Sequence, residues 1–220
     1  RRQVLAAGAR DAAFHDADLR DIGALEAMMA DAAGFGPLDI LVNNAGMQKT
    51  APITGVSTGL WDAILAVNLS AAFHTMRLAL PSMAARGFGR VVNIASVHGI
   101  VASKDKAPYV ASKFGLVGLT RVAALEYAGA GSRASGGVTV NAIGPGWTET
   151  SLIEPQVAAR AAQVGGDRDA GIASLLSEKQ PTQRMSDPAE IGELAAFLCR
   201  REAHNITGTV IPVDGGWTAQ

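Results

Sequence analysis

The chain has 220 residues, 48% of them hydrophobic, with 19 basic against 20 acidic side chains and a formal net charge of −1. That length and apolar content suit one α/β domain with a sizeable core, and the absence of a basic stripe or aromatic-interleaved patch argues against a nucleic-acid partner. The lone cysteine, Cys199, excludes an internal disulfide and any zinc or redox centre built from cysteine, so no metal is expected and a reducing cytoplasm is the expected location. No apolar run reads as long enough to span a membrane, and the opening residues, RRQVLAAGARDAAFHDADLRD, read as polar helix and loop rather than as a signal peptide.

In chain order, short β-branched runs alternate with longer helical patterns. Strands are expected at 13–18, 39–43, 90–94, 138–143 and 209–213, and helices at 22–33, 60–85, 108–128 and 188–198. This alternation predicts βαβ units on a parallel sheet, an α/β fold. Two stretches break the rhythm. GAGSRASGG, 129–137, reads as a flexible surface insertion. The connection 147–184 is too long for an ordinary loop, and the helical spacing of IEPQVAARAAQV favours a lid with helices of its own over a mobile linker.

The strand DILVNNAG runs straight into a small-residue turn, where Ala45 and Gly46 would let a ligand approach the backbone beyond a strand's carboxyl end. NAIGPGW repeats that logic at a second strand. NIASVHG ends a third strand with Ser96 and His98, and Tyr109 and Lys113 follow on a helix. Positions four apart stack, so Lys113 is expected beneath the Tyr109 ring, where its charge favours the phenolate. An unperturbed tyrosine, with a pKa of about 10, needs such a cation to act near neutrality. Taken singly, Ser96 reads equally well as a cap, Lys113 as an exposed lysine and Tyr109 as a helix-edge aromatic.

Together, Ser96, Tyr109 and Lys113, preceded by NNAG and Asn68 and followed by PG, resemble the short-chain dehydrogenase/reductase family in order, spacing and context, from DADL to VDGGW. The resemblance implies a three-layer Rossmann-type doubly wound parallel sheet and hydride exchange with NAD. It implies that Tyr109 is the acid/base, that Lys113 lowers its pKa and binds the nicotinamide ribose, that Ser96 orients the substrate oxygen and that Asn68 holds a relay water. It further implies a cofactor surface of Asp18, Asn44, Ala45, Gly46, Pro145, Gly146 and Thr150, together with Tyr109 and Lys113, and a homotetramer.

Lys106, three residues before Tyr109, has no part in that chemistry. A substrate carboxylate would give it one, because a buried anion needs charge-assisted donors. Gln48, His98 and Gln156 can join it, with Trp147 and Trp217 as apolar walls. His98 reads alternatively as a neutral histidine satisfying a loop carbonyl, and Gln156 as a solvated helix residue. Within the family these positions resemble the enzymes that interconvert (R)-3-hydroxybutyrate and acetoacetate, which implies a hydroxy/keto acid substrate. A reductase of 3-oxoacyl thioesters and a non-catalytic truncated fragment are the alternatives. The family's T-G-x-x-x-G-x-G turn has no match here, so the chain is expected to be a single catalytic domain, 1–220, lacking its first two strands; those strands would lie between 13–18 and 39–43 in the order 3-2-1-4-5-6.

Overall fold

The computed structural model describes residues 1–219. After the short α1 (Arg2–Ala6) come α2 (Ile22–Gly34), β1 (Ile40–Asn43), α3 (Thr58–Leu65), α4 (Ala71–Arg86), β2 (Phe88–Ile94) and α5 (Ala107–Tyr127). They are followed by β3 (Gly137–Pro145), α6 (Glu154–Gln163), α7 (Arg168–Lys179), α8 (Pro188–Cys199) and β4 (Val210–Val213). The four strands are parallel, in the order β1-β2-β3-β4.

Both central strands are buried on both faces, as expected of a parallel sheet covered on two sides. Val91 and Val140 are register partners, and they pack on Met76, Leu80 and Met83 of α4 and Ala123 of α5. One residue along, Val92 points the other way and meets Ile143, Ile191 and Leu198, with α8 beneath the opposite face. The result is the expected three layers. Helix starts follow local chemistry. Asp21 accepts from the amides of Gly23 and Ala24 at the head of α2, and Asp187 with Glu190 forms a capping box on α8.

Four expectations need correction. Residues 13–18 form no strand: with no neighbouring strand to complete a ladder, an extended segment leaves its amides and carbonyls to local turns and solvent. Asp18 there is held by Arg20 in a forked pair, with Nη2 to Oδ2 at 2.6 Å. The outer edge of β1 is correspondingly open, and Ile40 and Val42 are each 46% exposed. Second, the helix expected over 60–85 is broken by a π-helical turn, Ala66–Ser70, between α3 and α4. Third, the rod Thr58–Arg86 does have the length and composition to cross a membrane, with a window of mean hydropathy 1.4. Its apolar residues instead cover the sheet, and the run carries the buried polar Asn68 and Thr75.

Fourth, 129–137 is tied down rather than loose. Ser132 and Ser135 exchange hydrogen bonds, and the wholly buried Arg90 guanidinium donates to the carbonyls of Gly136 and Gly137. A Cβ at Gly131 would lie 2.3 Å from the Gly87 carbonyl oxygen, so this contact requires glycine. The segment 147–184 does carry two helices. α6 and α7 meet closely, since a Cβ on Gly171 would come within 2.9 Å of the Ala161 backbone, and Arg168 to Glu154 at 2.6 Å ties them outside.

Candidate active site

The carboxyl ends of β1, β2 and β3 open onto one cavity of about 580 Å³, within the usual range for a small-molecule site. Asn44, Ala45 and Gly46 line it from the turn after β1, Ser96 and His98 from the turn after β2, and Pro145, Gly146, Trp147 and Thr150 from the turn after β3. Tyr109 and Lys113 face them from α5, Gln156 from α6 and Trp217 from the carboxyl-terminal turn. A residue the sequence reading passed over draws these pieces together. A Cβ at Gly99 would sit 2.7 Å from Val117 Cγ2 and 3.0 Å from the Lys113 carbonyl, so only glycine lets the VHG turn lie on α5.

Lys113 stacks as expected, with Nζ 5.7 Å from the Tyr109 ring centre. It also donates to the Ile94 carbonyl at 2.7 Å, which fixes the ammonium at the end of β2. Gly46 approaches it closely: a Cβ there would lie 3.8 Å from Nζ. Burial lowers the Lys113 pKa to about 8. Burial also raises that of Tyr109, against a smaller lowering by the Ser96 hydroxyl. The expected net lowering of Tyr109 is therefore not present in the protein alone; desolvation outweighs the hydrogen bond with Ser96. In this state Tyr109 keeps its proton at neutral pH, the form needed to protonate a carbonyl.

Asn68 lies behind the cavity, not in its wall. Its Oδ1 accepts from the Met47 amide at 2.8 Å, while Nδ2 donates to the Met47 carbonyl at 3.0 Å and to Ser112 Oγ at 3.1 Å. Ser112 Oγ in turn donates to the Tyr109 carbonyl at 2.7 Å. The π turn thus presents a side chain that clamps the turn after β1 to α5, a role that Ser112 shares and that the sequence reading missed. Both donors of Asn68 are engaged by protein, so its side chain is a brace before it is a water ligand.

At the other end Lys106 is 9% exposed, with Nζ 5.0 Å above the Trp147 ring and 3.5 Å from His98 Nε2. Burial lowers its pKa to about 8. Trp217 lies 5.8 Å from Trp147, ring centre to ring centre, closing the wall. Gln156 Nε2 reaches Gln48 Oε1 at 3.3 Å, so α6 is already docked across the cavity. The two lysines around Tyr109 therefore face different ends of one chamber. A left-handed Asp105, with φ of 62°, turns the chain into Lys106, a conformation aspartate tolerates better than most residues.

Of the expected cofactor residues, Asp18 alone stands outside the cavity wall. Gly146 is glycine for a second reason, since a Cβ would meet Gln180 Oε1 at 2.8 Å. Thr148, not singled out by the sequence, carries a buried hydroxyl without a partner on this wall. An unpartnered hydroxyl between Gly146 and Thr150, with Gly46 open beside Lys113, fits the amide and ribose of a nicotinamide group.

Comparison with known proteins agrees. A family model described as enoyl-(acyl carrier protein) reductase matches residues 1–218. D-beta-hydroxybutyrate dehydrogenases from Cupriavidus necator and Rhizobium meliloti are 47% and 44% identical, each over 94% of this chain and 78% of the relative. A crystal structure whose protein is provisionally assigned as an NAD(P)-dependent gluconate 5-dehydrogenase, from Beutenbergia cavernae and with NADP bound at low occupancy, superposes with a TM-score of 0.84 at 35% identity, covering 100% of this chain and 81% of that one. A nicotinamide dinucleotide is the cofactor class of these structural neighbours. With a parallel α/β sheet and Ser96, Tyr109 and Lys113 gathered at its carboxyl edge, the chain belongs to the short-chain dehydrogenase/reductase family of oxidoreductases.

Proposed function

We propose that the protein interconverts (R)-3-hydroxybutyrate and acetoacetate with NAD. One observation carries the choice of substrate: Lys106 is a buried cation without a salt bridge among the described residues, on a cavity wall that contains no aspartate or glutamate. A buried unpaired charge is expensive. A ligand carboxylate resolves it, and a neutral hydroxyl substrate does not.

Tyr109 Oη takes the proton from the substrate hydroxyl in oxidation and returns it to the carbonyl oxygen in reduction, with Ser96 beside it orienting that oxygen. Lys113 stabilises the phenolate, and its anchorage on Ile94 keeps it under the ring. When bound, a nicotinamide would supply the hydride chemistry, and Gly46, Lys113, Gly146, Thr148 and Thr150 on the cavity wall would hold it. Lys106 and Gln156 hold the carboxylate while Trp147 and Trp217 exclude water.

A cytoplasmic homotetramer belongs to the same proposal. Phe114, Val122 and Leu125 of α5, exposed by 44%, 51% and 80%, form an apolar stripe suited to self-association. The test of substrate is a steady-state comparison of 3-hydroxybutyrate with its methyl ester. A hydrogen bond to a charged group contributes about 1.5–3 kcal/mol, so the acid should lead by at least roughly tenfold in kcat/KM. Equal turnover of acid and ester, or faster reduction of a 3-oxoacyl thioester, overturns the assignment.

A further inference from the structure

Gln180 caps the end of α7 and is 2% exposed, yet it does not line the cavity. Its carboxamide bonds instead to backbone behind the cavity wall. Oε1 accepts from the Trp147 amide at 3.1 Å, and Nε2 donates to the Arg184 carbonyl. Two glycines make room for it. A Cβ at Gly146 would lie 2.8 Å from Oε1, and one at Gly215 would lie 2.6 Å from Cγ and 3.0 Å from Nε2. Next to it the Thr182 amide donates to the Gly215 carbonyl at 3.1 Å, which docks the residues after α7 on the turn that carries Trp217. One buried side chain thus ties the turn after β3 to the exit of α7, against the carboxyl-terminal turn.

An apolar side chain of the same size would fill this space. What the carboxamide adds is direction, since it alone presents an acceptor and a donor on one carbon. The Gly146 amide donates to the Val213 carbonyl at 2.9 Å, and the Trp147 carbonyl accepts from the Ser186 amide at 2.9 Å. The bond from the Trp147 amide to Gln180 completes the set and fixes the plane of the Gly146–Trp147 peptide on the cavity wall. We infer that Gln180 is a positioning residue for the cofactor, holding this peptide in the orientation that receives the nicotinamide. The inference rests on the nicotinamide reading of this wall and assigns the residue that presets it. Without the acceptor, the buried Trp147 amide has no partner, and the turn satisfies it only by rotating. The receptive orientation then becomes one conformer among several, and the apparent affinity falls to the fraction that remains. Tyr109 and Lys113 stand on α5 and are unaffected once the cofactor is seated.

Two variants test this. Gln180→Met keeps the bulk; it should bind NADH about tenfold more weakly in a fluorescence titration, while kcat for 3-hydroxybutyrate at saturating NAD changes less than twofold. Unchanged affinity, or a kcat that falls with the affinity, overturns the inference. Gln180→Glu carries the test where the methionine variant does not fold. A protonated glutamic acid offers an acceptor to Trp147 and an O–H to Arg184, as glutamine does, whereas the ionised form sets an anion against the Arg184 carbonyl. Burial favours the protonated form. The NADH affinity of this variant relative to wild type should be close to equal at pH 6 and about tenfold weaker at pH 9, and a ratio that does not move with pH overturns the positioning role. If the wild type binds no NADH, the cofactor reading fails, and hydrogen exchange of the free protein still decides the role of Gln180. The Trp147 amide should then exchange at least about tenfold faster in Gln180→Met than in the wild type; equal protection shows that the side chain does not hold the turn.

Discussion

Replacing Lys106 by methionine should make the unliganded protein more stable and a poorer enzyme. Moving a lysine from 10.5 to about 8 corresponds to roughly 3 kcal/mol of penalty on the charged form. Methionine keeps most of the stem's packing and removes that penalty. It also removes a cation–π contact with Trp147, worth about 1 kcal/mol, and leaves His98 Nε2 without a donor, costing about 1 kcal/mol more. The net gain is about 1 kcal/mol, or roughly 2–4 °C in Tm for a chain of this size. The sign depends on pH. At pH 7 folded and unfolded lysine both hold their proton, so the penalty is full. Between about 8 and 10.5 the folded lysine releases it first, wild-type stability recovers, and the advantage of the variant should vanish. The assay is urea unfolding at pH 7 and pH 10, beside kcat/KM on acid and ester. A variant destabilised at both pH values, or one that loses equally on both substrates, refutes the reasoning.

Tyr109→Phe should retain its fold and lower turnover by about 10²–10⁴-fold; circular dichroism with steady-state kinetics checks this, and near-normal turnover removes Tyr109 as the acid/base. The affinity of acetate as a competitive inhibitor should be flat from about pH 6 to 7 and fall as Lys106 deprotonates near pH 8, with acid-side loss beginning only near about 5, where the ligand carboxylate takes up its own proton; an inflection near 6.5 contradicts the lowered His98 pKa of about 4. Hydrogen exchange across residues 147–184 should slow when cofactor and hydroxy acid bind together, because the docked Gln156 gains a further partner; unchanged protection identifies a static segment.

What was legible in the sequence is what period and local chemistry determine. β2 and β3 show as apolar runs because both faces are covered, and α5 and α8 announce themselves by periodicity and their opening prolines. Ser96, Tyr109 and Lys113 were readable because a strand end and one helical turn fix their spacing. The illegible parts depend on through-space partners. Residues 13–18 have the composition of a strand and lack a neighbour to pair with, and the π turn at Asn68 leaves no mark in the apolar pattern. Gly99 looks like any loop glycine until Val117 is known to sit against it. The rise in the Tyr109 pKa was misjudged because i, i+4 spacing reveals the cation and hides how completely the ring is buried.

The two ends of the chamber draw on different packing. Ser96 is delivered by the end of β2, and Lys113 is bonded to its last residue, Ile94, so their positions follow from sheet register. The carboxylate end is different. Trp147 and Trp217 belong with Val97, Ile153, Val157, Leu175 and Leu176 to a second apolar cluster, made chiefly by α6, α7 and the loops that carry them and joined to the turn that bears Ser96 by Val97. Repacking that core would move Trp147, and with it the surface on which Lys106 rests, without displacing Val91 or Val140 under the catalytic strand ends. On the proposed reading the lid therefore shapes the carboxylate end through Trp147, with Val97 as its contact to the turn that carries Ser96. Changes in α6 and α7 should therefore alter the preference between acid and ester long before they alter the chemistry at Tyr109.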